Sequence, residues 1–303
     1  MQKSISDLKI TTLADNLVQS SIFQLGQWGL SFFLEMRDAK GEERKILLDT
    51  SANKEAFLHN VKKLEIDLGT IDCMVLSHGH FDHTAAIVEV VKASGGVPVY
   101  AHPYCFNSRA FVNKKGTRME IGVPKGQGIA EIEAAGGKVV LSRDPVEVVP
   151  GFWTTGEVDM RSFEDRGLVE GTKRLIVVDG EEIDDLLLDD LALWGVVDGY
   201  GPFVVTGCAH SGILNTLLQV KRLSESELIY GFTGGTHLID RPDEYLNRTF
   251  KGLSEMGLKV VSACHCTGFK ATSMLWQRFP EEFVLNFCGQ VIEVGKEPEN
   301  KMV

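Results

Sequence analysis

Short apolar runs bounded by turn residues are the main pattern of the first hundred positions, and their length is typical of β-strands. The predicted strands there are residues 9–14, 30–36, 45–49, 71–77 and 97–101. A helical pattern at 84–92 separates the last two strands and ends at a Ser-Gly-Gly turn. This order of strand, loop, helix and strand predicts a unit whose loops lie at one edge of a sheet.

The last third of the chain repeats this order of elements. Its predicted strands are residues 203–206, 228–232, 259–262, 283–286 and 291–294, with helices at 213–223 and 269–279. Of the eight histidines, all except His59 follow predicted strands, in loops that mostly lead to helices. The pattern predicts an α/β fold that gathers histidines at sheet edges.

The middle of the chain is less regular. Residues 105–170 contain many glycines and charged residues and one strand-like stretch at 138–141. We interpret this range as an insertion that shapes a pocket within a single domain, residues 1–303. The acidic stretch 181–190 is interpreted as a solvated face with a short apolar insert, and a structural role near the pocket is the alternative for Asp189 and Asp190.

Composition narrows the class of protein. The formal net charge of −11 argues against a nucleic-acid binder driven by bulk charge. No run approaches the roughly 18 apolar residues that span a bilayer, and the N-terminus lacks the apolar core of a signal peptide. The six cysteines have no framework spacing, which favours reduced thiols. We therefore expect a soluble, cytoplasmic protein that binds a small molecule; the oligomeric state is not indicated.

The strongest chemical signal is the segment Ser77-His-Gly-His-Phe-Asp-His83, a His-x-His-x-Asp-His motif. Side chains at i and i+2 of an extended segment point the same way, so His78 and His80 can bind one metal ion. The chain then turns, so that Asp82 and His83 face a neighbouring position, where a second metal ion can bind. Such a cluster at a strand-to-helix turn predicts a two-metal site rather than a solvated polar loop.

The motif supplies only two ligands for each metal ion, so further ligands must come from elsewhere. His210 in Gly-Cys-Ala-His-Ser-Gly and His265 in Cys-His-Cys-Thr-Gly each follow a predicted strand, and we predict both as ligands. His237 in Gly-Gly-Thr-His-Leu lies in a similar loop. It is interpreted as a ligand, a proton shuttle, a substrate contact or a histidine hydrogen-bonded beneath the site.

Taken together, these motifs resemble those of the metallo-β-lactamase superfamily of metal-dependent hydrolases. Asp49 in Leu-Leu-Asp-Thr is similar to the family's strand-end aspartate, and the His-x-His-x-Asp-His motif to its signature. The C-terminal histidine loops resemble a subgroup named after a 7,8-dihydropterin-6-methyl-4-(ribofuranosyl)aminobenzene phosphate synthase. The resemblance covers residues 28–294 and implies a four-layer αββα sandwich with metal ions at one sheet edge.

The resemblance also implies roles for individual residues. The implied ligands are His78, His80 and His210 for the first ion, and Asp82, His83 and His265 for the second. Asp49 would orient a ligand histidine through a hydrogen bond. One or two divalent ions are implied. Zinc is favoured over manganese or iron because the second motif position is His80 rather than the Glu of the di-iron oxidoreductases.

At one position the chain departs from the superfamily. Most members carry an aspartate that bridges the two ions after a strand ending in Thr-Gly, whereas here Thr206-Gly207 is followed by Cys208. The departure puts the bridge in doubt and predicts a weak or absent second ion in the isolated protein. Cys208 is interpreted as a ligand or, preferably, as a small buried apolar residue.

Candidate catalytic and substrate-binding residues lie in and beyond these loops. Asp82 and His237 are the candidate catalytic residues, His237 as a proton carrier. Glu157, Arg161 and Lys270 are candidate substrate contacts, with a solvated surface charge as the alternative for each. Lys270 is included because it lies in the first turn of a predicted helix, where anions are favoured.

Three functions remain open. The favoured hypothesis is a hydrolase in which metal-activated water attacks a small anionic substrate, phosphorylated or ester- or lactone-like. The alternative is a transferase or synthase that acts on a dihydropterin-type substrate and an aryl amine ribose phosphate. The third is a metal-bound sensing or scaffold module, and the retention of six plausible ligands argues against it.

Overall fold

The computed structural model describes residues 4–19, 23–166 and 170–295. The described strands are β1 (Asp7–Ala14), β2 (Ser31–Arg37), β3 (Glu43–Leu48), β4 (Cys73–Val75), β5 (Pro98–Ala101), β6 (Arg109–Val112), β7 (Arg118–Glu120), β8 (Lys138–Leu141), β9 (Glu147–Val149), β10 (Phe152–Thr154), β11 (Lys173–Val178), β12 (Glu181–Asp184), β13 (Ala192–Val197), β14 (Gly201–Thr206), β15 (Gly231–Gly235), β16 (Val260–Cys264) and β17 (Val291–Val294). The described α-helices are α1 (Lys54–Lys63), α2 (Ile87–Ala93), α3 (Ile129–Ala134), α4 (Ile213–Ser224), α5 (Asp243–Glu255) and α6 (Gly268–Arg278). Short 3-10 helices cover Leu68–Thr70, Phe81–His83 and His265–Thr267.

Two large sheets form the centre of the molecule. The first has the strand order β17-β1-β2-β3-β4-β5-β8, and the second has the order β16-β15-β14-β13-β10-β9. Their facing sides share one apolar core, which includes Phe32, Val75, Phe152 and Phe203. Because side chains alternate across a strand, the outer face of each sheet also needs an apolar cover.

Helices cover both outer faces. Phe57 of α1 and Val90 of α2 belong to the core on the first sheet, and Leu217 of α4 and Leu253 of α5 to the core on the second. The resulting order of layers is helices, sheet, sheet and helices, so the predicted αββα sandwich is confirmed. No helix in the described ranges is long and apolar enough to cross a membrane.

Parallel strand pairing places the chemistry-bearing loops at one edge of each sheet. β3, β4 and β5 are parallel neighbours in the first sheet, and β14, β15 and β16 in the second. The loops after β3, β4, β14, β15 and β16 carry Asp49, His78, His210, His237 and His265. Loops that follow parallel neighbours meet at the same edge, which is where α/β folds place their sites.

Residues 105–170, predicted to be an insertion, contribute to all three sheets. β6 and β7 pair with β11 and β12 in a separate four-stranded sheet of order β12-β11-β6-β7. β8 instead extends the first large sheet, and β9 and β10 extend the second. Much of the range is therefore part of the sandwich itself. The insertion and the single domain stay predictions.

Several predicted elements are shifted at their ends; the strand predicted at 228–232, for example, runs from Gly231 to Gly235. Two other differences have a clear local cause. The helix predicted at 84–92 begins only at Ile87, because residues Phe81–His83 first form a 3-10 turn. The strand predicted at 283–286 is reduced to an isolated bridge between Val261 and Phe283. Both differences lie where the chain leaves the regular sheet, and there local apolar patterns are weak guides.

Candidate metal centre

The motif loop after β4 supplies residues to two groups that have the composition of metal sites. In each group, one ligand atom from each residue lies within 4.8 Å of the others. The first group is His78, His80 and His210, and the second is Asp82, His83 and His265. The structure thus brings together the six residues in the two sets expected from the sequence. Their role as metal ligands remains a proposal.

Backbone geometry explains how the motif fits into one short loop. Gly79 separates the two histidines, and a Cβ at this position would overlap the carbonyl oxygen of Cys105. The N–H of Gly79 donates to Oδ2 of Asp189 at 2.8 Å, which fixes the loop. Residues Phe81–His83 then form the 3-10 turn, so the last two ligand-type residues of the motif join the second group.

Unpartnered ring nitrogens show that the centre suits a metal ion. Among the described residues, Nε2 of His80 and both ring nitrogens of His210 are buried without a hydrogen-bond partner. Leaving a buried polar atom unsatisfied costs about 1–3 kcal/mol, so a cluster of such atoms needs an explanation. Imidazole and carboxylate are ligands that divalent metals use in proteins. The donor set therefore fits a divalent cation.

Asp49 holds one of these histidines in a fixed orientation. Its Oδ2 accepts a hydrogen bond from Nδ1 of His83 at 2.7 Å and another from Oγ of Ser77 at 2.6 Å. Its Oδ1 accepts from the backbone N–H of Ser77 at 2.7 Å. Because Nδ1 carries the proton, Nε2 of His83 is the nitrogen available to the second group. This geometry is the one expected for the predicted orienting role of Asp49.

The histidines of the first group are held neutral. Burial, followed by the charges of His83 and other neighbours, lowers the pKa of His78 well below its usual value. Burial, followed by His237, does the same to the pKa of His210, and burial lowers the pKa of His80 to about 3. Neutral imidazole is the form that binds metal, so these residues lose no proton when an ion binds at neutral pH.

The second group is more strongly charged. Burial opposes ionisation of Asp82, but the charges of His83 and His265 outweigh it and lower the pKa of Asp82. Burial also opposes a charge on His83, but Asp49 and then Asp82 raise the pKa of His83 to about 9. The two carboxylates therefore make this part of the centre favourable for a cation, whether a proton or a metal ion.

His237 lies beside the first group. Its ring centroid is 4.1 Å from that of His210, and its ligand atom lies within 4.8 Å of Sγ of Cys208. Its backbone N–H donates to Sγ of Cys266 at 3.2 Å. This position agrees with the sequence prediction that His237 takes part in the site. Its role as proton carrier stays a proposal.

Two of the predicted substrate contacts pair with carboxylates elsewhere. Nη2 of Arg161 lies 2.9 Å from Oδ2 of Asp159, and Nζ of Lys270 contacts Oδ1 of Asp243 on α5. The side chains of Arg161 and Lys270 are 52% and 57% exposed, in agreement with the alternative of a surface charge. These contacts lie outside both histidine groups, so a substrate role for either residue gains no support.

Glu157, the third predicted substrate contact, is also engaged. Its Oε1 lies 2.8 Å from Nε2 of His102 and 2.5 Å from Nη1 of Arg143. His102, another histidine that ends a strand, is thereby bound to a carboxylate instead of joining either ligand group. Substrate binding by Glu157 stays a prediction.

Sequence reasoning missed a buried ion network behind the motif loop. Arg109 is 1% exposed; its Nε lies 2.8 Å from Asp185 and its Nη2 lies 2.7 Å from Asp189. Asp185, Asp189 and Asp190 are all buried, so the interpretation of 181–190 as a solvated face is wrong for its C-terminal half, where the burial favours the alternative of a structural role for Asp189 and Asp190. The sequence signal for this network was the pair Asp189-Asp190 directly before an apolar strand. Carboxylates buried beside such a strand need charged or hydrogen-bonding partners.

A cleft of about 870 Å³ opens beside the second group and has His265 in its wall. Phe269 and Trp276 of α6 line it and are 88% and 62% exposed. Among the described lining residues, Asp15 and His265 are the ones of acidic or basic type, and none is Lys or Arg. The cleft is therefore mainly apolar, with aromatic surfaces on which a planar ring can stack.

Comparison with known proteins agrees with this architecture. A family model described as the metallo-beta-lactamase superfamily matches residues 29–218. The 7,8-dihydropterin-6-methyl-4-(beta-D-ribofuranosyl)-aminobenzene-5'-phosphate synthase of Methanocaldococcus jannaschii is 33% identical over 296 residues, which cover 95% of this chain and 97% of that protein.

Solved structures give the same result. Tm1679, described as a metal-dependent hydrolase of the beta-lactamase superfamily, superimposes with a TM-score of 0.76 at 25% identity, covering 95% of this chain and 100% of that one. YhfI from Bacillus subtilis, a metallo-beta-lactamase fold protein, shares the fold at a TM-score of 0.55 and 14% identity, with 95% and 100% coverage. The chain therefore belongs to the metallo-β-lactamase superfamily.

Proposed function

We propose that the chain is a metal-dependent synthase that joins a dihydropterin-type substrate to an aryl amine ribose phosphate. The substrate class is taken from the M. jannaschii relative, whose name combines a 7,8-dihydropterin with a ribofuranosyl aminobenzene phosphate. The observation that carries the proposal is the aromatic cleft beside His265, since both substrates of such a reaction contain planar rings.

The walls of the cleft favour rings over small anions. Phe269 and Trp276 offer large exposed aromatic faces to the cleft. Stacking of aromatic rings contributes about 0.5–1.5 kcal/mol beyond the area buried. Apart from the proposed metal centre, the described lining contains no Lys or Arg that would hold an anion. We therefore place the rings in the cleft and the ribose phosphate at its mouth.

His265 connects the cleft with the metal centre. Asp15 accepts a hydrogen bond from its backbone N–H at 2.9 Å, and Asn16 Oδ1 lies 3.0 Å from its Nδ1. These contacts leave Nε2 directed toward Asp82, whose Oδ2 is 3.5 Å away. A substrate stacked in the cleft would therefore lie next to the second ligand group.

The proposed chemistry needs few protein groups. A divalent ion held by the two groups would act as a Lewis acid toward charge that develops on the substrate. An amine that forms a bond to the pterin side chain, displacing a leaving group, gives up one proton. We assign that proton to His237, which lies against His210 at the rim of the first group. Asp82 would hold the second ion and orient the substrate through it.

A hydrolase is the second candidate function. The likeness to Tm1679, which is described as a metal-dependent hydrolase, favours it. A hydrolase needs only one organic substrate and water, whereas the synthase needs two organic substrates. This difference separates the two functions experimentally.

The test uses the metal-loaded 303-residue chain. We would incubate it with a dihydropterin carrying a leaving group on its 6-methyl position, with the aryl amine ribose phosphate, and with both, and analyse products by mass spectrometry. The synthase predicts a coupled product only when both substrates are present. Metal-dependent hydrolysis of either substrate alone, without any coupled product, would contradict it and support the hydrolase.

A further inference from the structure

Cys208 lies between the two ligand groups. One ligand atom each from His78 and His83, which belong to different groups, lies within 4.8 Å of its Sγ. Ligand atoms of His210 and His265 lie within the same limit. A single sulfur atom is thus close to two members of each group.

The surroundings of Cys208 are those of a ligand rather than of a core residue. Its side chain is 2% exposed, as the sequence interpretation of a small buried residue expected. Its neighbours, however, are polar: Sγ lies 3.2 Å from Nε2 of His83 and 3.3 Å from Sγ of Cys266. Nearby, both ring nitrogens of His210 and Nε2 of His265 are buried without a hydrogen-bond partner among the described residues. A buried thiol beside such nitrogens has the position of a metal donor, not of an apolar filler.

We propose that the Cys208 thiolate is a ligand shared by both metal ions, at the place where most of the superfamily has a bridging aspartate. On binding, the thiol releases its proton to solvent and the sulfur donates to the metal. The inference rests on the metal centre of the proposed function but not on its substrate.

A sulfur bridge has a consequence for metal choice. Thiolate is a soft ligand that favours zinc, iron and copper, whereas carboxylate and water suit manganese and magnesium. The centre would then hold two ions without the aspartate, and it would discriminate against manganese. The sequence expectation of a weak or absent second ion would be wrong.

Cys266 is the competing sulfur. It forms a group with Cys208 and His265 whose ligand atoms lie within 4.8 Å of one another. Unlike Cys208, it forms no group with the histidines of the first set in the described part of the chain. Its Sγ accepts a hydrogen bond from the N–H of His237 instead. Cys266 therefore lies close to the second ligand group only, and it serves as the comparison residue.

The experiment follows cobalt(II) binding to the chelator-stripped chain under reducing, anaerobic conditions. Calorimetry counts the ions, and absorbance detects the thiolate-to-cobalt charge-transfer band in the near ultraviolet. We expect two ions and a clear band in the wild type. Cys208→Ala should lose the band and bind the second ion at least tenfold more weakly. Cys266→Ala, and Cys73→Ala in the core between the sheets, should keep the band.

Cys208→Asp is included in case Cys208→Ala does not fold. It restores the residue type found in most of the superfamily and should bind two ions without the band. Two results would overturn the sulfur bridge but not the metal-dependent proposed function. One is a wild type that binds two ions without the band. The other is a band that survives in Cys208→Ala and disappears in Cys266→Ala. A wild type that binds no cobalt or zinc would overturn the metal-dependent proposed function as well.

Discussion

Oδ2 of Asp49 accepts a hydrogen bond of 2.7 Å from Nδ1 of His83, although 34 positions separate the two residues in the chain. Asp49 follows β3 and His83 lies beyond β4, and these strands are parallel neighbours. Both side chains are fully buried. The contact therefore ties the motif loop to the neighbouring strand and fixes which nitrogen of His83 faces the second group.

Replacing Asp49 should weaken metal binding. Asp49→Asn keeps the shape of the side chain but removes the charge that holds Nδ1–H of His83. Loss of such an outer hydrogen bond typically costs 10- to 100-fold in affinity, and we expect a fall in this range by calorimetry with zinc. Asp67→Asn, at the start of a surface 3-10 helix, is the control and should bind normally. An unchanged affinity in Asp49→Asn would refute the orienting role.

Removing a ligand from either group should remove metal without unfolding the chain. We expect His78→Ala and His265→Ala to lose bound metal and activity, because each histidine belongs to a small group of donors in which one loss leaves few ligands for the ion. Metal content per chain is measured by elemental analysis, and folding by circular dichroism. His59→Ala, outside both groups, is the control. Normal metal content in both variants would exclude the ligand assignment.

Glu164 should make the stability of the fold depend on pH. It accepts hydrogen bonds from the N–H groups of Leu214 and Asn215 at the start of α4. Burial, only partly offset by these bonds, raises its pKa from 4.5 to about 7. The folded chain therefore holds this proton more tightly than the unfolded chain, and its contribution to stability is lost as the pH rises from about 4.5 to about 7.

Glu164→Gln tests this contribution. A shift of this size corresponds to roughly 3 kcal/mol, since one pKa unit is about 1.4 kcal/mol. Urea unfolding at several pH values should show that the loss of stability between pH 4.5 and 7 is smaller in the variant than in the wild type. Glu255→Gln, exposed at the end of α5, should follow the wild-type profile. Parallel profiles for Glu164→Gln and the wild type would disprove the expectation.

The ion network behind the motif loop should be costly to break. Asp189→Ala leaves the buried guanidinium of Arg109 with Asp185 as its remaining carboxylate and removes the acceptor of the Gly79 N–H. Breaking a buried ion pair from one side costs about 3–5 kcal/mol. We expect a loss of this order in the free energy of unfolding, measured with urea. A change below about 1 kcal/mol would show that Asp185 compensates.

Phe269 should matter for substrate binding and not for metal binding. Phe269→Ala removes an aromatic face that is 88% exposed in the cleft, and we expect KM for the ring-containing substrate to rise roughly threefold to tenfold. Metal content should not change. Lys270→Ala is the matched control, because its side chain pairs with Asp243 and does not line the cleft. Equal effects in both variants would count against the cleft as the ring site.

The sequence alone determined the motif, the order of elements around the histidine loops and the identity of the six candidate ligands. These features are local: strands show as short apolar runs, and a His-x-His-x-Asp-His segment at a strand end carries its own geometry. The strands at 138–141 and 291–294 have the predicted bounds. α5 was missed, although its buried residues Leu246, Phe250 and Leu253 have helical spacing, because its mean composition is polar.

Only the tertiary structure decided which distant residues meet. Arg109 pairs with Asp185 and Asp189, Cys208 lies between two histidine groups, and the cleft joins residues near position 15 with others near 270. Such contacts depend on which strands are neighbours in a sheet and how the two sheets face each other. Local periodicity does not encode that pairing, since each strand carries the same apolar pattern whichever partner it has.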